Sequence, residues 1–224
     1  MTEAAIKRAK KQKFNKILLI ISAVLLAMVL VWWIVQMHIT NSKAIPQLVE
    51  YYEPGEYVEI GDNFYVDAVE QLDGYSIRVN GAKLYNYEQF LIDNGCEDYL
   101  NQQKENNEKY FKYIVLLDLD IKNVENTEGV IMALKFGLYN ESLNIPADFM
   151  IWSKIDEFFD GYPYLKVATN SEANLLIPFS PMPLNVNAAS DDIERRLLEE
   201  DFYFCISEFP VRKMIRVPIE NCVD

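Results

Sequence analysis

The residue types that most often carry catalysis are scarce in this chain. Its 224 residues include one histidine, His38. A Ser-His-Asp or Cys-His mechanism needs a histidine base held inside a folded site. His38 instead follows closely behind a long apolar run, where an interfacial polar residue is ordinary. We therefore predict no nucleophilic catalytic residue and no enzymatic activity of this kind.

Three cysteines, Cys96, Cys205 and Cys222, leave the redox chemistry open. They have no C-x-x-C spacing, and structural zinc takes four cysteine and histidine ligands, so we predict no zinc site. Cys205 lies in a strand-like stretch and is expected to be a small buried residue. Cys96 and Cys222 could form a disulfide outside the cytoplasm, while an odd number leaves at least one thiol unpaired within the chain.

Acidic residues are numerous enough to suggest a hydrolase, which needs two carboxyl groups about 5–10 Å apart in a cleft. Asp118 and Asp120 are the strongest pair because they lie on one face of a predicted strand. Alternation alone predicts a polar, solvated face there, and we favour that interpretation. Calcium could be held near Asp62-Asn63, Asn123–Glu128 or Asp191-Asp192, but none matches the EF-hand pattern. We predict no metal site and no cofactor.

Aromatic residues give the most specific expectation of binding. Tyrosine is enriched at interface hot spots, although aromatic rings more often close the ends of a core. Six of them fall in predicted loops or in the stalk and are candidate recognition residues: Tyr51, Tyr52, Phe158, Phe159, Tyr162 and Tyr164.

The formal charge of −13 is divided unevenly along the chain. Residues 1–16 hold six basic residues and one acidic residue, which gives +5. Residues 38–224 hold 15 basic and 33 acidic residues, which gives −18. Phosphate binding needs a basic surface, so nucleic acid is excluded as the main partner.

Between these parts, Ile17–Val35 is apolar except for Ser22 and is long enough to cross a bilayer. The run is longer than the core of a signal peptide and has no small-x-small cleavage site, so we expect an uncleaved anchor. The preceding basic residues predict a cytoplasmic N-terminus and an extracytoplasmic C-terminal part in a single-pass protein of the cell membrane. Four residues are expected to anchor the helix at the membrane interfaces: Trp32, Trp33, Lys13 and Lys16.

These features predict a basic tail at 1–16, a transmembrane helix at 17–37, a stalk at 38–54 and an extracytoplasmic domain at 55–224.

Tyr110–Val124 alternates apolar and polar residues over a long run, which indicates a strand. Tyr75–Tyr85 alternates too, with a phase shift at Gly81 that indicates a bulge. Helical spacing predicts a short helix at Tyr87–Asp93. Ser190 as an N-cap, with acidic residues in the following turn, predicts another at Ser190–Glu200. Further short strands are predicted at these positions: Tyr57–Ile60, Val130–Tyr139, Phe149–Trp152, Leu175–Phe179, Phe202–Phe209 and Lys213–Ile219.

Seven or eight strands without strand–helix alternation favour an all-β antiparallel sandwich with short helical insertions.

Four stretches carry a resemblance: GDNFYVDAVEQLDGYSIRVNGAKL, YIVLLDLDIKNVENTEG, NLLIPFSP and FYFCISEFPVRKMIRVPI. They resemble immunoglobulin-like domains of unknown function found on membrane-anchored proteins and lipoproteins of Gram-positive bacteria, grouped with immunoprotective extracellular antigens. Insertions at 95–109 and 183–200 depart from that pattern. Five residues lie on its motif positions: Gly74, Tyr75, Asp118, Asn123 and Pro210.

The resemblance brings no catalytic residues and implies a bacterial surface protein that binds or assembles. We expect a non-enzymatic accessory protein whose partners are the lipid bilayer and another protein, in a cell-envelope or transporter-associated complex. Two alternatives stay open: a cell-envelope hydrolase using paired carboxylates, and a ligand-sensing ectodomain that signals through a partner.

Overall fold

The computed structural model describes residues 3–42, 48–61, 63–65, 68–106, 112–141, 143–156, 159, 161–180 and 190–222. It divides into two units, Met1–Pro46 and Gln47–Asp224. The first unit contains one helix, α1 (Glu3–Ser42). Its stretch Asn15–Ile39 contains an 18-residue window with a mean hydropathy of 2.9 and is long and apolar enough to cross a membrane. Helices of this kind near an N-terminus also occur in signal sequences.

The second unit is rich in strands and contains, among its described residues, four α-helices and one 3-10 helix at Ala133–Lys135. The strands and helices run in this order: β1 (Leu48–Tyr52), β2 (Val58–Glu59), β3 (Asn63–Tyr65), β4 (Ala68–Glu70), β5 (Tyr75–Asn86), α2 (Tyr87–Asp93), α3 (Glu97–Glu105), β6 (Tyr113–Asn123), β7 (Ile131–Met132), β8 (Gly137–Tyr139), β9 (Asn144–Pro146), α4 (Phe149–Ile155), β10 (Tyr164–Leu165), β11 (Ser171–Phe179), α5 (Ser190–Glu199), β12 (Phe202–Ser207), β13 (Val211–Val217) and β14 (Ile219–Asn221).

Two larger sheets make up most of this unit. The first, which we call the groove sheet, has the strand order β1-β13-β12-β8-β9. The second, which we call the ladder sheet, has the order β11-β6-β5-β14, with β2 also paired to β5. Two short pairs, β3 with β4 and β7 with β10, complete the strands.

One hydrophobic core joins the inner faces of the two sheets. Ile77 and Leu117 come from the ladder sheet, while Phe204 and Ile215 come from the groove sheet. Alternate residues of each strand supply these side chains, because successive side chains of a strand point to opposite faces. Burial of these side chains accounts for the period-two pattern in the sequence.

A second, smaller cluster covers part of the outer face of the ladder sheet. Phe90 and Leu91 of α2 and Leu100 of α3 pack there with Ile114 of β6 and Ile151 of α4. Asn86 caps α2 by accepting a hydrogen bond from the amide of Gln89. The helical insertions therefore shield one end of a sheet face that the sequence predicts to be solvated.

A hydrogen-bonded loop closes the end of the ladder sheet where β5 starts and β6 ends. Asn123 is fully buried, and its amide donates to the carbonyl oxygens of Asn126 and Val167 at 2.9 and 2.8 Å. The Tyr75 hydroxyl donates to Gly129 O at 3.2 Å. Gly74 has φ +84°, and its carbonyl accepts from the amide of Val124 at 2.8 Å. Gly74, Tyr75 and Asn123, three of the five residues that carry the resemblance, thus share this structural role.

Most predicted elements are confirmed. β5 and β6 occupy the expected stretches, and their register shifts between Val79 and Gly81, at the predicted bulge. The helix α2 has the predicted bounds, and α5 begins at the predicted Ser190. The polar stretch after Cys96 forms α3.

Several expectations differ from the structure. Val130–Tyr139 is not one strand, because a short 3-10 helix at Ala133–Lys135 separates β7 from β8, which belong to different sheets. Lys213–Ile219 is also divided, since β13 ends at Val217 and Ile219 begins β14 of the ladder sheet.

Phe149–Trp152 belongs to a helix, because the Asp148 side chain caps its N-terminus by accepting from the amide of Ile151. The sheets are not wholly antiparallel, since β1 pairs in parallel with β13, and β14 with β5. Leu48–Tyr52, within the predicted stalk, is a strand of the groove sheet.

Replacing Gly74 with alanine should destabilise the domain strongly. The new Cβ would lie 2.1 Å from the carbonyl oxygen of Val124, at a left-handed φ. Backbone strain and the clash together should lower the free energy of unfolding by about 2–4 kcal/mol. Gly55→Ala is the matched control, because φ is +89° there and no atom lies within 4 Å of the Cβ, so about 1 kcal/mol is expected. Equal losses in urea unfolding would contradict this account.

Candidate functional site

A groove of about 900 Å³ lies on the outer face of the groove sheet. Strand register brings its floor together: Tyr51 of β1 lies beside Met214 of β13, and Tyr203 of β12 beside Tyr139 of β8. These residues alternate with the core residues of the same strands, so their side chains are on the opposite face. Four separate strands thereby contribute to one surface.

The tyrosine rings in the groove are ordered by contacts with one another and with an arginine. Tyr51 and Tyr203 meet edge to face, with ring centroids 5.1 Å apart and an angle of 67°. The guanidinium carbon of Arg212 lies 5.0 Å from the ring centroid of Tyr139. Tyr51 is 65% exposed, while the other three are half-buried. The rings of Tyr51 and Tyr203 thus form a corner on the floor of the groove, which we call the tyrosine corner. The ring of Tyr139 next to it is covered by Arg212.

Acidic and amide side chains form the rim. Glu200 and Asp201 follow α5, while Asn140 and Glu141 follow β8. The Asn140 amide donates to Glu200 Oε2 at 2.5 Å, so the two segments are bridged. The hydrogen bond from Arg196 lowers the pKa of Glu200.

The arginines near the groove are each matched by a carboxylate. Arg196 Nε lies 2.9 Å from Glu200 Oε1. Arg216 Nη2 lies 2.6 Å from Glu53 Oε2, and Arg212 Nε lies 3.5 Å from a carboxylate oxygen of Glu208. Burial, and then the negative charge of Asp201, raise the pKa of Tyr203, so its hydroxyl stays protonated at neutral pH.

A second polar cluster, which we call the Asp ladder, crosses the outer face of the ladder sheet. Arg78 Nη2 donates to Asp120 Oδ2 at 2.6 Å. The Asn80 amide donates to Asp118 Oδ1 and to Asp120 Oδ2, both at 3.0 Å. The Asn174 amide joins the same two carboxylates at 2.7 and 2.9 Å. Amide and guanidinium groups therefore hold these two carboxylates together.

The Asp ladder does not resemble the acid–base pair of a hydrolase. Asp120 is only 6% exposed. Burial acts to raise its pKa, but hydrogen bonds from Asn174, Arg78 and Asn80 outweigh burial and lower it. A general acid needs a raised pKa, so this environment favours a fixed carboxylate.

Metal ligation finds no support in the described part of the chain, where no group of three His, Cys, Asp or Glu residues could hold an ion. In the predicted loop Asn123–Glu128, the asparagine side chains bond to backbone groups instead. Asp62 lies outside the described residues, as does the side chain of Asp191.

The predicted recognition aromatics do not form one site. Tyr51 enters the groove, whereas the hydroxyl of half-buried Tyr52 donates to Glu50 at 2.6 Å. Tyr162 and Tyr164 are 68% and 54% exposed and lie beside and on β10. Phe159 is buried, because its ring stacks on Trp152 with centroids 4.0 Å apart. The sixth aromatic, Phe158, lies outside the described residues.

The predicted membrane anchors all lie on α1. Trp32, Trp33 and Lys16 are exposed there, as is His38. Lys13 is also on the helix, and its side chain is outside the described part. Their role at the membrane interfaces stays a prediction.

Sequence reasoning missed Tyr139, Tyr203 and Arg212. The signal was present in the strand alternation, since Tyr203 separates the core residues Phe202 and Phe204. Which outward residues become neighbours depends on the pairing of β8, β12, β13 and β1. A single sequence does not specify that pairing.

The three cysteines are free thiols. Cys96 and Cys205 are buried, while Cys222 is exposed. Burial raises the pKa of the Cys205 thiol to about 11, so it is a poor nucleophile. This agrees with the expected role of Cys205 as a small buried residue.

The chain combines one long apolar helix with a strand-rich domain, and a groove lined by tyrosines and polar residues lies on that domain. Residues 49–213 match a family described as a domain of unknown function, DUF5028. The chain therefore belongs to the DUF5028 family. No curated protein and no solved structure matches it. The expected domain of unknown function is confirmed at that level, and the match carries no immunoglobulin-like or lipoprotein-antigen assignment.

Asp120→Asn should destabilise the domain at neutral pH by about 1–3 kcal/mol, because a buried charged acceptor of three donors is lost. The lowered pKa of Asp120 fixes the pH dependence. Its contribution is present above the unfolded-state pKa of about 3.9 and is lost as the pH falls through the folded-state pKa.

Urea unfolding at pH 7, 5 and 3 should therefore show the wild type and Asp120→Asn converging towards pH 3. Asp118→Asn is the control, because Arg78 forms its ion pair with Asp120. A difference between wild type and Asp120→Asn that is constant over this pH range would rule out the ionic role.

Proposed function

We propose that this protein is a non-enzymatic, membrane-anchored binding protein whose groove docks a partner protein outside the cytoplasm. The groove carries the proposal, because it joins exposed tyrosine rings to polar rim groups on a face opposite the core. Interface anchors are rich in tyrosine and arginine, and both occur here. A volume of about 900 Å³ is ample for a segment of a partner.

We further propose that the domain is an immunoglobulin-like sandwich. If β5, β6, β8, β9, β11, β12 and β13 are lettered A, B, C, C′, E, F and G, one sheet contains A-B-E and the other C′-C-F-G. This division agrees with the immunoglobulin arrangement. Helix α4 lies in the chain where strand D would follow C′. A helix at that position accounts for the missing strand in the A-B-E sheet.

The extracytoplasmic placement of the domain is supported by the sequence around α1. Residues 1–16 carry +5, and the positive-inside rule places such a segment in the cytoplasm. Trp32 and Trp33 lie at the far end of the apolar run, as interfacial residues do. We propose that α1 is an uncleaved anchor.

The alternative hydrolase function has less support. The predicted carboxylate pair, Asp118 and Asp120, is bridged by the amides of Asn80 and Asn174, and the pKa of Asp120 is lowered. An acid catalyst would need the opposite shift.

Cys222 provides a native probe of membrane orientation. It is exposed, whereas Cys96 and Cys205 are buried, so a membrane-impermeant maleimide should label the folded protein at Cys222. Labelling of intact cells is expected, and Cys222→Ser should abolish it. The mass of the labelled protein should include residues 1–46. Labelling only after permeabilisation would contradict the orientation, and a mass lacking α1 would contradict the uncleaved anchor.

Photocrosslinking tests the groove as a docking site. Benzoylphenylalanine in place of Tyr51 of the full chain in its native membrane should give a discrete protein adduct, because Tyr51 is exposed inside the groove. The same residue at Tyr164, exposed on β10, is the control and should not give that adduct. Adding Tyr203→Ala to the Tyr51 variant should reduce the adduct several-fold. No adduct, or identical adducts from both positions, would overturn the proposed docking site.

A further inference from the structure

We infer that the groove recognises a basic segment, in which one or more lysine or arginine side chains of a partner protein enter the tyrosine corner. The inference rests on the proposed docking function and specifies the chemistry of its partner. It follows from three observations: the charge balance at the rim, the arrangement of the tyrosine rings and an arginine that already makes the same contact within the chain.

The charge balance favours a cationic occupant. Each arginine beside the groove has a carboxylate nearby: Arg196 has Glu200, Arg216 has Glu53 and Arg212 has Glu208. The Arg212–Glu208 contact is the longest at 3.5 Å, and the buried Arg212 Nε forms no hydrogen bond within the described part of the chain.

The rim carboxylates Glu141 and Asp201 are both exposed, and neither forms an ion pair within the described part of the chain. The carboxylates beside the groove therefore outnumber the arginines by two, although Asp201 is also close enough to Arg216 to raise the pKa of that guanidinium. Residues 48–224 carry 14 basic and 33 acidic residues, or −19, so long-range attraction acts in the same direction.

The tyrosine corner suits a cation chemically. Tyr51 and Tyr203 meet at 67°, so a side chain entering between them can contact the face of one ring and the edge of the other. Lysine and arginine are attracted to aromatic faces within about 6 Å. Asp201 is close enough to Tyr203 to affect the pKa of its hydroxyl, so a carboxylate and a ring can act on the same bound charge.

Arg212 provides an internal precedent for this contact. Its guanidinium carbon lies 5.0 Å from the ring centroid of Tyr139, on the same floor. That arginine occupies the ring of Tyr139. Arg216 is the cross-strand neighbour of Tyr203 but is held by Glu53, so the Tyr51–Tyr203 corner is left to a cation from outside. An acidic or phosphorylated segment would meet the rim carboxylates and is disfavoured.

Two peptides that differ only in charge test the inference. The full chain is placed in nanodiscs of zwitterionic phosphatidylcholine, so that lipid does not attract the probe. Fluorescent decapeptides of alternating lysine and serine are compared with the same peptides carrying acetyl-lysine, which removes the charge. Fluorescence anisotropy should show the lysine peptide binding at least tenfold more tightly, with affinity falling as NaCl rises.

Variants separate local from general charge effects. Glu141→Gln with Asp201→Asn should weaken lysine-peptide binding about threefold to tenfold. The control, Glu56→Gln with Glu105→Gln, removes the same number of charges from exposed residues outside the groove and should change affinity by less than about twofold. Tyr203→Leu should weaken binding several-fold, whereas Tyr203→Phe keeps the ring and the affinity.

Each result decides the inference separately from the docking proposal. Equal binding of charged and acetylated peptides, no binding of either, or equal effects of the rim and control pairs would overturn the basic-segment inference. The Tyr51 crosslink could still form in those cases, and docking would stand. If the Tyr51 crosslink is lost but lysine-selective binding is retained, the docking proposal is overturned and the basic-segment inference stands.

Discussion

Strand β6 is buried along its inner face and at Ile114 and Asp120 of its outer face, and the ladder sheet is arranged around that constraint. Val115, Leu117 and Leu119 fill the core on the inner side. On the outer side, Ile114 packs against the helices, and Asp120 is enclosed by hydrogen bonds. A buried carboxylate is stable only when its acceptor positions are filled, and two amides and a guanidinium do so here. The outer face of the ladder sheet therefore has an apolar part, packed against the helices, and a polar part, the Asp ladder.

This packing of β6 separates the two outer faces by role. The ladder sheet uses its outer face to hold helices and to satisfy Asp120, whose donors come from β5 and β11. The groove sheet carries rings and arginines on its outer face, and Tyr51 there is largely exposed. Tyrosine hydroxyls and rim carboxylates tolerate water, so such a face can be stable before a ligand arrives. The outer face of the groove sheet is accordingly better suited to bind a partner than the outer face of the ladder sheet.

Much of the domain could be predicted from local pattern. The alternation in β5 and β6, the bulge near Gly81 and the helix Tyr87–Asp93 each depend on residues close in the chain. Phe149–Trp152 was predicted wrongly, because an apolar run of that length fits a strand or a helix equally. The deciding contact is a side-chain cap from Asp148.

The burial of the aromatic residues was harder to predict than the elements. Phe159 and Tyr162 are neighbours in one predicted loop, yet one stacks on Trp152 and the other is exposed. Likewise, Asp118 and Asp120 lie on the face that alternation predicts to be wet, and the covering of Asp120 depends on Arg78 and on β11. Partners distant in sequence decide these environments, and alternation within one strand carries no information about them.

The groove itself depends on the parallel pairing of β1 with β13. That pairing places Tyr51 beside Met214, at the edge of the sheet and opposite the residues of β8 and β12. β1 is also the first strand of its unit in the chain, and it supplies one wall of the groove. Separating β1 from β13 would remove Tyr51 from Tyr203 and open the aromatic corner. The five residue pairs of this short edge strand therefore determine whether the groove exists as a binding surface.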